Sequence, residues 1–273
     1  MRYVCVHQRN GSLKASEIKM EDAISWYREF QQCANNILSR IRQLSPRDEV
    51  ILSRTACLGT GVQSLLNWGR SINHQKNRAD LILNRKKIVT IPEVSRLLLR
   101  KDVLSLIYAQ RQDIFSYRRV SSVVFDSFSE LVDREFITRD GKRFYAVNGD
   151  VNKELLVHEG GICGDLLDLS NIFEIYEELF SKIHERYQCK IFFLNFPTKF
   201  EQRQLYQERA NIIAVAGRKL MKHKDYFFNV EVPSDMITQG NDCFPYHFSE
   251  KTYLTYAECV QEIKRTGATS TLK

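Results

Sequence analysis

Three short runs, Glu49-Val-Ile-Leu-Ser53, Ser122-Val-Val-Phe125 and Lys190-Ile-Phe-Phe-Leu194, are almost wholly apolar and lie far apart in the chain. A strand with one wet face alternates polar and apolar residues. A run that is apolar throughout fits a strand covered on both faces, the condition of the central strands of a parallel sheet. Helix-periodic stretches separate these runs, so the pattern predicts an α/β fold: a mostly parallel sheet with helices on both faces. In such sheets ligands collect in the crevice beyond the carboxyl ends of the strands.

The remaining elements follow from period and punctuation. Tyr3–His7 reads as a strand, and Asn10-Gly-Ser12 turns the chain into a helix from about Glu17 to Leu44, ended by Ser45-Pro46. The first core strand leads through Cys57-Leu-Gly-Thr-Gly61 into an amphipathic helix carrying Val62, Leu65, Leu66 and Trp68. Further helices are expected over Val94–Gln110, Ser170–Tyr187, Phe200–His223 and Thr252–Arg265, with a last strand at Tyr226–Val230. Residues 134–165 contain Asp140-Gly141, Asn148-Gly149 and Gly160-Gly161 and read as a hairpin or irregular insertion. At 273 residues the chain is expected to be one α/β domain over 1–273, with residues 1–48 a strand-helix extension.

Composition narrows the classes of function. The chain is 43% hydrophobic and 27% charged, enough for a packed core and unlike a disordered chain. No run approaches the ~18 apolar residues of a membrane span, and the first residues are too short for a signal-peptide core, so a cytoplasmic protein without a membrane span is expected. The seven cysteines are odd in number and contain no C-x-x-C pair, which argues against a disulfide framework or a zinc ribbon. Apart from His247, the five histidines show no paired ligand spacing, and no metal is expected. Residues 1–120 hold 21 Lys and Arg against 10 Asp and Glu, whereas residues 121–273 hold 19 against 23. The basic half either attracts an anionic partner or is an ordinary solvated surface. Nucleic acid is not indicated, because no Lys/Arg-rich block is interleaved with aromatics.

Candidate site residues lie just beyond the predicted strand ends. Cys57 stands before a helix whose N-terminal amides favour an anion, as suits a nucleophilic thiolate, but a thiol packed under the turn satisfies the pattern as well. Asp126 either projects into the crevice or caps a helix. Asn195 either donates its amide to a substrate oxygen or forms a turn before Pro197. Asp242 and His247 share one loop, where a carboxylate can orient an imidazole toward a nucleophile. A structural loop histidine is the alternative.

The strand followed by Thr55-Ala-Cys57, then Val62, Leu65 and Leu66, resembles the strand, turn and leucine-rich helix of WcbI-type capsular-polysaccharide biosynthesis proteins, relatives of the SGNH/GDSL hydrolases. The likeness runs over residues 49–265. It implies an SGNH-like three-layer sandwich and acyl transfer or ester hydrolysis on a saccharide or related acceptor in polysaccharide biosynthesis, with coenzyme A or an acyl-CoA as a possible donor. Cys57 falls at the nucleophile position with Ser53 in reserve, and Asp242 and His247 resemble the C-terminal pair. Leu58 and Gly59 would supply oxyanion-hole amides with Asn195, and Asp126 would lie at a substrate-binding strand end. Two other classes fit the same residues. One is a nucleotide-sugar glycosyltransferase with Asp126 or Glu130 as base, although no D-x-D-like motif accompanies them. The other is a non-catalytic ligand- or partner-binding module on this fold.

Overall fold

The computed structural model describes residues 50–66, 71–84, 98–100, 103–240 and 244–267, together with the backbone of 3–9 and 12–18. Five of the described strands form one parallel sheet: β3 (Val50–Arg54), β4 (Ser71–Asn73), β5 (Val120–Asp126), β9 (Lys190–Leu194) and β10 (Phe227–Val230). Their spatial order is β10-β9-β5-β3-β4, so the three apolar runs are neighbours in one parallel sheet. Every residue of β3 and β10 is buried, as the unbroken apolar runs require.

In chain order these strands are arranged second, first, third, fourth, fifth. The direction of winding therefore reverses between β3 and β5, which makes the carboxyl edge there the topological switch point. Right-handed crossovers then place α1 (Cys57–Leu66) and the closing α8 (Glu250–Thr266) on one face. They place α2 (Ala79–Leu83), α6 (Ile172–Tyr187) and α7 (Gln204–His223) on the other. The observed packing agrees: α1 lies against α8, while α6 lies against both α2 and α7.

Helix α6 shows how sequence period becomes core. Its buried residues Ile172, Tyr176, Leu179, Phe180 and Ile183 repeat at helical spacing. The Phe180 ring meets those of Phe125, Phe193 and Phe227 at 5.4, 5.9 and 4.9 Å, clamping the helix onto the central strands.

Residues 133–166 build a second, antiparallel sheet in the order β7-β6-β8, from β6 (Asp133–Ile137), β7 (Arg143–Val147) and β8 (Ile162–Leu166). The β6–β7 turn needs Gly141 at φ 76°, a left-handed backbone that glycine adopts without strain. This sheet has its own core of Phe136, Phe144, Ala146, Val151 and Leu156 with Leu98, Leu99, Val103, Leu104 and Ile107. That burial breaks the helix expected over Val94–Gln110 within its described residues, 98–100 and 103–110; residues 94–97, 101 and 102 fall outside them. Leu99 pairs with Val151 in a β-bridge, and helix resumes only as the short α3 (Leu104–Ala109). Asn152 then caps α5 (Lys153–His158) by accepting from the Leu155 amide at 3.1 Å.

At the start of the chain β1 (Tyr3–Arg9) pairs antiparallel with β2 (Ser12–Ile18). Residues 17 and 18 are therefore strand where a helix was expected to begin. Asn10-Gly11, between paired Arg9 and Ser12, is the two-residue sequence that most favours a hairpin, and it outweighs the weak helical period there. The rest of that expected helix, 19–44, falls outside the described residues. Among the described residues no helix is long and apolar enough to cross a membrane.

Candidate functional site

The carboxyl edge at the switch point is held by charges and amides drawn from every strand around it. Arg54, the last residue of β3, is fully buried, and its Nη1 donates to both carboxylate oxygens of Glu130 at 2.9 and 2.7 Å. Glu130, in the short α4 (Phe128–Val132), also accepts from the Ala79 amide at 2.8 Å and the Tyr176 hydroxyl at 3.2 Å. These added hydrogen bonds offset part of the cost of stripping water from the carboxylate, whereas Nε and Nη2 of Arg54 are buried without a partner. Burial opposes the Arg54 charge, but the facing Glu130 carboxylate prevails and holds its pKa above the ordinary value.

Beyond Arg54 the backbone is clamped residue by residue. Asn73 accepts from the Thr55 amide at 3.0 Å and donates to the Thr55 carbonyl at 2.9 Å. Asp126 accepts from the Ala56 amide at 2.6 Å and the Phe128 amide at 3.1 Å. Ser127 accepts from the Phe196 amide at 2.9 Å, tying in the end of β9. Asp126 is thus turned into the protein as a staple between two backbone segments and does not reach into the crevice. Burial pushes its carboxyl up to about 6, although the Arg54 charge and the two amides pull the other way.

Cys57 opens α1 and is partly buried. Its Sγ donates to the carbonyl oxygen of Tyr246 at 3.0 Å, a contact that a thiol makes and a thiolate does not. Tyr246 is itself fixed. Its phenol donates to Glu201, and its ring packs edge-on against Phe128 and Phe196 at 5.3 and 5.6 Å. Hydrogen bonds, mainly from Arg203, hold the Glu201 carboxyl down to about 2 against the opposing effect of burial. His247 follows Tyr246 directly. Its amide donates to the Phe244 carbonyl at 3.1 Å, its carbonyl accepts from the Gly240 amide at 2.9 Å, and its ring lies 4.7 Å from that of Phe244. The start of α1 and the loop before α8, 189 residues apart, therefore meet at one sheet edge. Asp242 lies outside the described residues.

Several roles expected from the sequence need correction. Ser53 is fully buried with its hydroxyl bonded to Ser71 Oγ at 3.1 Å and the Ile72 carbonyl at 3.2 Å, which removes it as a reserve nucleophile. Gly59 and Gly61 are not turn residues but helical close-contact positions. A Cβ on Gly59 would stand 2.3 Å from Thr55 Cγ2, and one on Gly61 would stand 2.9 Å from the Tyr253 ring. The Leu58 side chain is core, so only its backbone faces the edge, in the first helical turn where amides lack intrahelical acceptors. Asn195 does not offer its amide to a ligand. Its Nδ2 donates to Asn229 Oδ1 at 2.6 Å and Glu231 Oε1 at 2.9 Å, which leaves a buried, unpartnered Oδ1. Glu130, locked on Arg54, is no free base.

The basic residues of the first 120 that the structure describes near this edge are engaged internally. Arg54 pairs with Glu130, Lys76 with Asp133 at 3.2 Å and Asp150 at 3.4 Å, and Arg78 with Asp80 at 2.6 Å. Among the described residues no group of three or more His, Cys, Asp or Glu is placed to hold a metal ion. The sequence reading missed Arg54, Asn73, Glu201 and Tyr246. Arg54 did leave a signal, a charge closing an otherwise apolar strand, whereas the three-residue β4 that carries Asn73 left none. No protein-family model matches the chain, nor does any curated protein or solved structure.

Proposed function

We propose that the carboxyl edge between β3 and β5 is an SGNH-like acyl-transfer or ester-hydrolysis site acting on a saccharide or related acceptor. The observation that carries this reading is the contact of Cys57 Sγ with the Tyr246 carbonyl, which sets the thiol beside the residue that precedes His247. In the proposed step His247, oriented by Asp242, takes the Cys57 proton. The sulfur attacks the carbonyl carbon of an acyl ester, and the leaving alkoxide receives the proton from His247. First-turn amides of α1, those of Leu58 and Gly59, face the oxygen that becomes negative. The acceptor hydroxyl, or water, then attacks the thioester with His247 again as base, and Cys57 is released. Asn195 has no part in this step because its donor group is engaged. Arg54, Lys76 and Arg78 are each paired with carboxylates, so these three residues form no phosphate cradle.

Incubation with an activated acyl ester, followed by peptide mass spectrometry, tests the reading. Acylation is expected at Cys57, absent in Cys57→Ala, slowed by several orders of magnitude in His247→Ala and less in Asp242→Asn. A folded protein that shows no adduct at Cys57, or a His247→Ala variant acylated at the wild-type rate, rules out the triad and leaves a binding module.

A further inference from the structure

Helix α7 is already anchored. Arg209, Ile213, Ala216, Gly217 and Leu220 face the protein interior. Yet Leu205, Ile212 and Val215 are 51%, 47% and 58% exposed. Isolated exposed aliphatics are ordinary, but these are not isolated. With the exposed Glu208, Lys219 and Lys222 they occupy alternating steps of three and four residues, forming one stripe beside the buried face. The stripe is polarised, with its acidic residue in the amino half of the helix and both basic residues in the carboxyl half.

We propose that α7 docks against α7 of a second copy of this chain, antiparallel about a two-fold axis beside the midpoint between Ile212 and Val215. In that register Ile212 of one copy faces Val215 of the other, Glu208 faces Lys219, and Leu205 lies along the aliphatic stem of Lys222. The two-fold axis repeats each pair. Each stripe residue then meets a like or complementary group, Leu205 through the methylene stem of Lys222. A parallel pairing would set Glu208 against Glu208 and Lys219 against Lys219. An antiparallel register centred on Ile212 would leave Glu208 without a basic partner. In the single copy Glu208 accepts from Gln204 at 2.6 Å and the Lys219 ammonium rests 3.7 Å from the Phe173 ring centroid, local contacts that exposed side chains exchange at low cost. Leu205 to Lys222 spans about 26 Å at 1.5 Å per residue, so the contact is at the small end of interfaces and the dimer is reversible and concentration-dependent.

Sedimentation velocity on the full chain over a concentration series tests this, with circular dichroism confirming the fold of each variant. Wild type is expected to pass reversibly from monomer to dimer, and Ile212→Glu to stay monomeric. Glu208→Lys and Lys219→Glu should each weaken association on the order of tenfold, because symmetry counts every repulsion twice. Glu208→Lys combined with Lys219→Glu should restore wild-type association, since the swapped charges again face each other. A wild type monomeric at all concentrations overturns the proposal, as does association indifferent to Ile212→Glu or a double variant as weak as the single ones.

Discussion

Replacing Asp126 with asparagine should flatten part of the stability profile between about pH 4 and pH 7. The carboxyl is fully buried at the end of β5, and burial raises it from 3.8 to about 6 despite the opposing Arg54 charge and two amide donors. At about 1.4 kcal/mol for each pKa unit, ionised Asp126 costs the folded state about 3 kcal/mol relative to its protonated form. The folded chain holds this proton more tightly than the unfolded chain does. The contribution to stability is therefore complete below pH 3.8 and is lost as pH rises through about 6. Asparagine carries no titrating charge but keeps one oxygen to accept from Ala56 or Phe128. Urea unfolding at a series of pH values, for both proteins, isolates the residue. Wild type should lose about 3 kcal/mol relative to Asp126→Asn across the interval. Parallel profiles would refute the reasoning, because they would mean that Asp126 titrates alike folded and unfolded.

Two further substitutions test how the edge is braced. Glu130→Ala leaves Arg54 buried without its counter-charge and should destabilise the protein by about 3–5 kcal/mol, while Arg54→Met combined with Glu130→Leu should recover only part of that loss in urea melts, because the Ala79 amide and the Tyr176 hydroxyl still lack their acceptor. A single variant no weaker than a surface substitution would contradict the network. Gly217→Ala sets a helical gain of about 1 kcal/mol against a Cβ placed 2.3 Å from Asn229 Oδ1, an overpacking that costs about 1–3 kcal/mol. The melting temperature should fall, and a rise would show that Asn229 moves freely.

The sequence made β3, β5 and β9 legible because burial on both faces leaves a run of apolar residues, a signal contained within five or so positions. Helices α6, α7 and α8 were legible for a similar reason, since period and capping act within a few turns. The carboxyl edge could be located as well, because parallel strands joined by helices collect their loops there. What the local pattern did not carry was β4, whose three residues Ser71-Ile-Asn73 are too few to show a period. Nor did it carry the break in Val94–Gln110, where a helical pattern yields to burial against the second sheet.

The identity of the groups that face outward at the edge was decided by tertiary structure alone. Asp126, Asn195 and Ser53 each looked available in the sequence, and each is engaged by partners brought in from elsewhere: Ala56, Asn229 and Ser71. Cys57 meets Tyr246 across 189 residues and Arg54 meets Glu130 across 76, separations at which neither residue type nor spacing names a partner. Apolar burial is non-directional and so is written in local composition. A hydrogen bond or ion pair is directional, and which buried donor finds which acceptor is fixed only when the sheet has brought distant strand ends together.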